Sequence, residues 1–202
     1  MAATDRPNNA STGSSIGSGW LLAGYVGVGG FFIQELILRR PGAASSLNAS
    51  HDDEGTTRTL LESSALAYVL PLALRRLPLS VMPSAAAATG LIMQACGLAL
   101  RVWSMRTLGA SYTRTLRTAQ DQSVVDTGPY RMIRHPGYSG ALLMWIGLAL
   151  SSRSAPATVL VAGLMGRAYQ RRITAEENLL LRALPEYGDY SRRTKKLIPL
   201  FW

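Results

Sequence analysis

The stretch Ile16–Leu38, IGSGWLLAGYVGVGGFFIQELIL, carries no charge until Glu35 and stops at Arg39-Arg40-Pro41. As a helix it is long enough to cross a bilayer, which takes about 20 apolar residues. Gly24, Gly27, Gly29 and Gly30 on that helix would let a second helix approach closely. Ahead of it, residues 1–15 (MAATDRPNNASTGSS) are small and polar, with too little positive charge for a secretory signal, and read as a disordered tail. Residues 16–202 read as a single domain.

The whole chain fits a membrane reading. Of its 202 residues 48% are hydrophobic and 16% charged, whereas soluble domains carry about a quarter charged residues. The formal net charge is +9, from 21 Lys+Arg against 12 Asp+Glu. Because the basic residues sit between long apolar runs, anionic headgroups are the expected counter-charge and nucleic acid is not. One cysteine, Cys96, excludes an internal disulfide framework, and two histidines, His51 and His135, exclude a histidine-rich metal centre. His51 does stand beside Asp52, Asp53 and Glu54, but adjacent residues in a polar loop (41–58) do not converge on one ion without a supporting shell, so no metal is expected.

Further apolar runs follow at Leu60–Leu74, with Pro71 inside it, and at Ala85–Trp103. A pair at Tyr138–Leu150 and Ala157–Tyr169 is joined by the short link Ser151–Pro156, which makes a helical hairpin. The expected fold is therefore all-α, a polytopic membrane bundle of about five transmembrane helices that includes a C-terminal hairpin and is followed by a cytoplasmic C-terminal helix. Arginines cluster between Trp103 and Pro136 and again after Tyr169, and the positive-inside rule puts both clusters on the cytoplasmic face. Five passes then place the N-terminus on the other side, together with Arg75-Arg76, which the rule would have preferred inside.

Chemistry is expected where polar residues are explained by neither solvent nor lipid, and two segments qualify. The first is TGPYRMIRHPGYSG, Thr127–Gly140. There Pro136 suits a first helical turn, Gly137 and Gly140 permit close backbone approach, and Arg134, His135 and the open N–H groups of the helix start offer an anion site. An interfacial belt of tyrosine and arginine anchors explains the same residues about equally well. The second segment is RRITAEENLL, Arg171–Leu180. Arg172 and Glu176 stand four apart and share a helix face. An exposed ion pair is the ordinary reading of such spacing, but the hairpin brings both segments to one membrane face, so His135, Tyr138, Arg172 and Glu176 can line one pocket.

The ordered run Leu108-Gly109, Thr127-Gly128-Pro129-Tyr130, Arg134-His135-Pro136-x-Tyr138-x-Gly140, Glu176-Glu177 and the later Tyr187 and Tyr190 resembles the isoprenylcysteine carboxyl methyltransferase family. The likeness covers residues 97–202, and Leu184-Pro185 stands where relatives usually carry Phe-Gly. Phospholipid N-methyltransferases and some sterol reductases share parts of the pattern.

The resemblance implies a membrane enzyme that uses S-adenosylmethionine to methylate the C-terminal carboxylate of a prenylated cysteine. It implies membrane lipids as neighbours, the endoplasmic reticulum as its place in a eukaryotic cell, and a site facing the cytoplasm. The absence of a strand-glycine-helix fingerprint agrees with a cofactor held without a Rossmann sheet. By the family's pattern Tyr130, His135, Pro136, Gly137, Tyr138 and Glu176 would hold the cofactor, with Gln122, Ser123, Val124 and Val125 added by position, and Arg172 would face the substrate carboxylate. Two other readings stay open on the residues themselves. One is methyl transfer to a lipid amine, for which Glu177 is the available general base. The other is a non-catalytic membrane scaffold.

Overall fold

The computed structural model describes residues 10–38, 55–77, 81–109 and 124–199. Among these the backbone forms six α-helices and no strand: α1 (Ala10–Ile37), α2 (Thr56–Leu74), α3 (Ser84–Leu108), α4 (Pro136–Ser151), α5 (Ala155–Ala183) and α6 (Tyr187–Arg193), with a 3-10 turn over Gly128–Arg131 ahead of α4. The all-α expectation holds.

Several boundaries differ from those read in the sequence. Helix α1 begins at Ala10 rather than Ile16. No proline or charge interrupts residues 10–15, so the helix extends back through part of the stretch read as tail. Helix α2 begins at Thr56, inside the polar 41–58 segment, because Gly55 takes a left-handed φ of 71° and turns the chain into it. His51, Asp52, Asp53 and Glu54 lie outside the described residues. The hairpin link is tighter than Ser151–Pro156. Pro156 sits in the first turn of α5, and Ser154 caps that helix by accepting from the Ala157 N–H. Helix α5 then runs straight through the polar segment as far as Ala183, carrying the hairpin and the candidate chemistry on one rod.

The five long helices alternate in direction. At one end of the bundle Met82 and Arg153 exchange bonds, Met82 N–H to the Arg153 carbonyl and Arg153 Nε to the Met82 carbonyl, both 2.8 Å. Ser154 Oγ donates to the Leu74 carbonyl there at 3.3 Å. At the other end Arg101 of α3 ion-pairs with Glu35 of α1 and donates to the Gly137 carbonyl of α4 at 3.1 Å. The start of α1 and Arg75-Arg76 thus lie at the end remote from the candidate site.

Helix α4 is the buried centre. Ala141, Met144, Trp145 and Leu148 meet Leu21 and Val28 of α1 and Val161, Met165 and Tyr169 of α5 in one apolar core. Its partner α3 approaches by removing side chains from the contact. Gly90 and Gly97, about two turns apart, face Gly147 and Gly140 in antiparallel order. A Cβ on Gly97 or on Gly140 would stand 2.5 Å from the other's carbonyl oxygen. Gly24 and Gly27 of α1 likewise face Ser151 and Gln94, as the sequence suggested, whereas Gly29 faces open space.

The flanks are apolar. Leu22, Val26, Ile33 and Leu36 on α1, Leu66 and Val69 on α2, Ile92 on α3 and Val159 on α5 are exposed. Gly19–Ile37 and Ser84–Leu108 are each long and apolar enough to cross a membrane. Only 33% and 22% of those windows are buried inside the molecule, so these helices turn most of their surface outward, unlike the core helices of a water-soluble domain. Helix α4, with 16 residues, reaches only about 24 Å against a hydrocarbon core of about 30 Å.

Candidate active site

Pro136 fixes the first turn of α4 behind His135, and the end of α5 runs back past it, so the two polar segments meet at one end of the bundle. Tyr138 is the link. Its hydroxyl donates to Glu176 Oε2 at 2.7 Å, and its ring lies 5.7 Å from the His135 ring in a stacked arrangement and 5.3 Å from the Tyr169 ring. One turn before Glu176, Arg172 is 3% exposed. Its Nη1 donates to the hydroxyls of Thr56 and Thr57 at 2.9 and 3.1 Å, and its guanidinium also hydrogen-bonds Tyr138. The four residues expected to share a pocket are therefore together: Tyr138 touches Glu176 and Arg172, and His135 stacks on Tyr138.

Glu177, the neighbour of Glu176, does something different. Its Oε1 accepts from Arg134 Nε at 2.7 Å and faces His135 Nε2 at 3.2 Å, while Lys196 Nζ stands 3.1 Å from Oε2. Burial pushes this carboxyl up, but the bonds from His135, Arg134 and Lys196 outweigh it and hold the pKa at about 2. Arg134 is used fully as a brace. Beyond Glu177 it donates through Nη1 to the Ser191 carbonyl at 2.8 Å and to the Thr194 carbonyl. The following chain is laced to the same segment, with Arg134 N–H to the Lys195 carbonyl at 2.7 Å, His135 N–H to the Lys196 carbonyl at 3.0 Å and Ser139 Oγ to the Leu197 carbonyl at 2.7 Å.

The remaining expected residues fall on the rim. Tyr130 is buried beneath α6, where its carbonyl accepts from the Tyr190 hydroxyl at 2.7 Å. Val124 N–H donates to Glu186 at 3.2 Å, and Val125 follows it beside the same C-terminal layer. Gln122 and Ser123 lie outside the described residues. Pro136 is buried, and a Cβ on Gly137 would come within 3.3 Å of Ser104 Oγ. Sequence reasoning missed the threonine partners of Arg172, 115 positions away in one case, the cage of Arg134, His135 and Lys196 around Glu177, and Tyr187, whose buried hydroxyl has no hydrogen-bond partner among the described residues. The motif run contained Tyr187, but nothing local marked its hydroxyl as unsatisfied.

The donor set suits S-adenosylmethionine, which brings a carboxylate, an ammonium, ribose hydroxyls and an adenine. Glu176 has an oxygen, Oε1, with no partner among the described residues, Tyr187 has an orphaned hydroxyl, and the rings of His135, Tyr138 and Tyr169 offer faces. Among the described residues no group of His, Cys, Asp and Glu is set to hold a metal ion.

The described residues thus form an all-helical bundle with outward-facing apolar flanks and a buried, charged cluster at one end. The model of the isoprenylcysteine carboxyl methyltransferase family matches residues 90–182, from within α3 to the last turn of α5, which bears out the likeness read from the motifs. A probable protein-S-isoprenylcysteine O-methyltransferase of Oryza sativa subsp. indica is 32% identical over 113 residues, 54% of this chain and 59% of that protein. The nickel-cobalt-cadmium resistance protein NccN of Alcaligenes xylosoxydans xylosoxydans is 37% identical over 76 residues, 38% of this chain and 36% of that one. The chain thus spans well under two thirds of either relative. In fold, it resembles the solved structure of the eukaryotic intramembrane Ras methyltransferase ICMT, with a TM-score of 0.53 at 21% identity over 75% of this chain and 54% of that one.

Proposed function

We propose that this chain transfers a methyl group from S-adenosylmethionine to the C-terminal carboxylate of a prenylated cysteine. In this reading it works as a five-pass membrane protein whose site faces the cytoplasm, in the endoplasmic reticulum of a eukaryotic cell. The observation that carries the reading is the division of labour between the two neighbouring acids of α5. Glu177 is held ionised by its bonds with His135, Arg134 and Lys196, its pKa at about 2, which makes it a very weak base. A lipid amine must lose a proton to become a nucleophile, and Glu177 is unfit to take it. A carboxylate acceptor is already ionised and needs no base, which favours the ester over the amine.

When bound, S-adenosylmethionine supplies a methyl group on a positively charged sulfur. The chain supplies position and dryness. Arg172, buried and braced by Thr56 and Thr57, would grip the substrate carboxylate through charge-assisted bonds and orient it. Glu176 and Tyr138 would hold the polar end of the cofactor. His135 and Arg134, locked on Glu177, keep the start of α4 and the chain that covers it in place, which excludes water. The apolar flanks of α1, α2 and α5 give a prenyl chain a route from the bilayer.

The test is transfer of labelled methyl from S-adenosylmethionine to N-acetyl-S-farnesylcysteine by the purified protein in lipid, scored as base-labile methanol. Methanol release is expected. A base-stable methylamine product would replace the ester with the amine reading, and no cofactor binding at all would leave a scaffold.

A further inference from the structure

Arg75-Arg76 has no part in the chemistry, and it stands at the end of the bundle remote from the candidate site, where a third arginine joins it. Arg75 and Arg76 are the two central residues of the turn that closes α2, in which the Leu77 N–H returns to the Leu74 carbonyl at 3.2 Å. The same carbonyl accepts from Ser154 Oγ at 3.3 Å. Arg153 and Arg75 therefore leave the backbone one residue to either side of a single hydrogen bond. Arg75 and Arg76 are exposed and Arg153 is half-buried. No carboxylate answers them. The sequence has no Asp or Glu in residues 6–34, 63–120 or 127–175, the stretches that supply every described part of this end, and among the described residues none of the three arginines makes an ion pair.

Arg153 is also an improbable choice for its position. Among the described residues it is the one non-glycine with a positive φ, 59°, where glycine or asparagine is the ordinary occupant. Its backbone is pinned by N–H to the Leu150 carbonyl at 2.9 Å and by its own carbonyl accepting from Met82 N–H at 2.8 Å, and Nε donates to the Met82 carbonyl. The two terminal nitrogens have no partner among the described residues. The turn needs only a left-handed residue; arginine adds a guanidinium held in one place with its outer donors open. Cations are weakly favoured at helix C-termini such as those of α2 and α4, but Arg153 spends its bond on Met82, ahead of α3, and not on the last carbonyls of α4.

The surroundings fit a lipid. Gly24 faces Ser151, so Trp20, one turn earlier on α1, lies at the depth of the hairpin turn, and an indole there marks the boundary between hydrocarbon and headgroups. Just inward of the charges Val69 and Leu72 on α2 and Val159 and Leu160 on α5 are exposed. Open guanidinium donors at headgroup depth above an apolar flank match a phosphate that carries acyl chains. We propose that Arg75, Arg76 and Arg153 form a binding site for the phosphate of an anionic phospholipid in the leaflet remote from the candidate active site.

The test is native mass spectrometry of the full chain in neutral detergent, titrated with dioleoylphosphatidylglycerol or dioleoylphosphatidylcholine and read as the Kd of the first bound lipid. The parent is expected to prefer phosphatidylglycerol. Arg75→Gln/Arg76→Gln, at positions with no bond to lose, should weaken phosphatidylglycerol binding about thirtyfold, and Arg153→Asn, which keeps the left-handed turn, about fivefold. Phosphatidylcholine binding should not change in either. Arg131→Gln/Lys195→Gln, which removes two exposed cations at the opposite end, should leave phosphatidylglycerol affinity nearly as in the parent. Equal loss in that opposite pair, or full affinity in Arg75→Gln/Arg76→Gln, overturns the site; the latter variant decides alone if Arg153→Asn does not fold. Phosphatidylglycerol should also raise the parent's Tm more than that of Arg75→Gln/Arg76→Gln. Inorganic phosphate raising the parent's Tm as much as the lipid does would overturn the lipid assignment in favour of a free anion.

Discussion

The α3–α4 seam and the charged layer over the end of α5 solve one problem, holding the start of α4 in place, by opposite means. The seam does it by subtraction. Gly90, Gly97, Gly140 and Gly147 leave backbone against backbone, with nothing to rotate and nothing to solvate. The layer does it by saturation: Glu177 is bonded by Arg134, His135 and Lys196, and Arg134 spends its guanidinium on one carboxylate and two carbonyls. In lipid, apolar burial provides no attraction between helices, so close packing and polar bonds carry association. The seam is a contact that no ligand can enter, while the layer is made of groups a ligand or proton can address. Chemistry therefore belongs at the layer, with the seam as its fixed reference.

Substitutions separate the two mechanisms. The largest effect is expected in the seam. Gly140→Leu drives a side chain into the Gly97 carbonyl, where even a Cβ stands 2.5 Å away, and should abolish folded protein by size-exclusion profile in detergent; a monodisperse, active variant would show the seam to be loose. Next comes Arg172→Ala, which should lower turnover at least about a hundredfold while cofactor affinity, measured by calorimetry, changes little. Equal losses in both would make Arg172 part of the brace.

Glu177→Gln follows. Because folding depresses the pKa of this carboxyl from 4.5 to about 2, its contribution is fully present above about pH 4.5 and is lost as pH falls toward about 2. The integrated contribution is on the order of 3 kcal/mol. Chemical-denaturation midpoints should fall with acid over that window in the parent and much less in Glu177→Gln, and parallel pH profiles would remove Glu177 from the layer's hub. The smallest effect is Ser139→Ala, which gives up one bond to the Leu197 carbonyl at 2.7 Å and should cost about 1 kcal/mol with turnover nearly unchanged. A large loss of turnover there would mean that the covering chain itself takes part in the site.

The sequence disclosed the layer's components better than its wiring. Apolar length located α1 and α3, and the hairpin followed from two short runs around Pro156. Gly24 and Gly27 signalled a close contact because they punctuate a bulky apolar helix. Gly90 and Gly97 gave no such signal, because in an Ala-rich run they look like ordinary small residues and their partners lie on another helix. His135, Tyr138, Arg172 and Glu176 were legible as neighbours because a hairpin returns the chain to its starting side. Thr56, Thr57 and Lys196 were not, since bonds across such separations leave no local pattern. The start of α1 at Ala10 shows propensity losing to continuity, in that a helix fixed by its apolar length carries weakly favourable residues along with it.

The paired glycines also set a ruler. Gly90 opposite Gly147 and Gly97 opposite Gly140 admit one alignment of α3 with α4, because a shift by a single turn would set a leucine against a carbonyl. Helices in bilayers of different thickness ordinarily adjust by tilting or sliding one past another. These two can only tilt as a unit, so the height at which Arg101 meets Gly137 relative to the hydrocarbon edge is set by the protein and not by the lipid. A membrane that thickens would rotate the whole bundle and carry the site with it, leaving its internal distances unchanged.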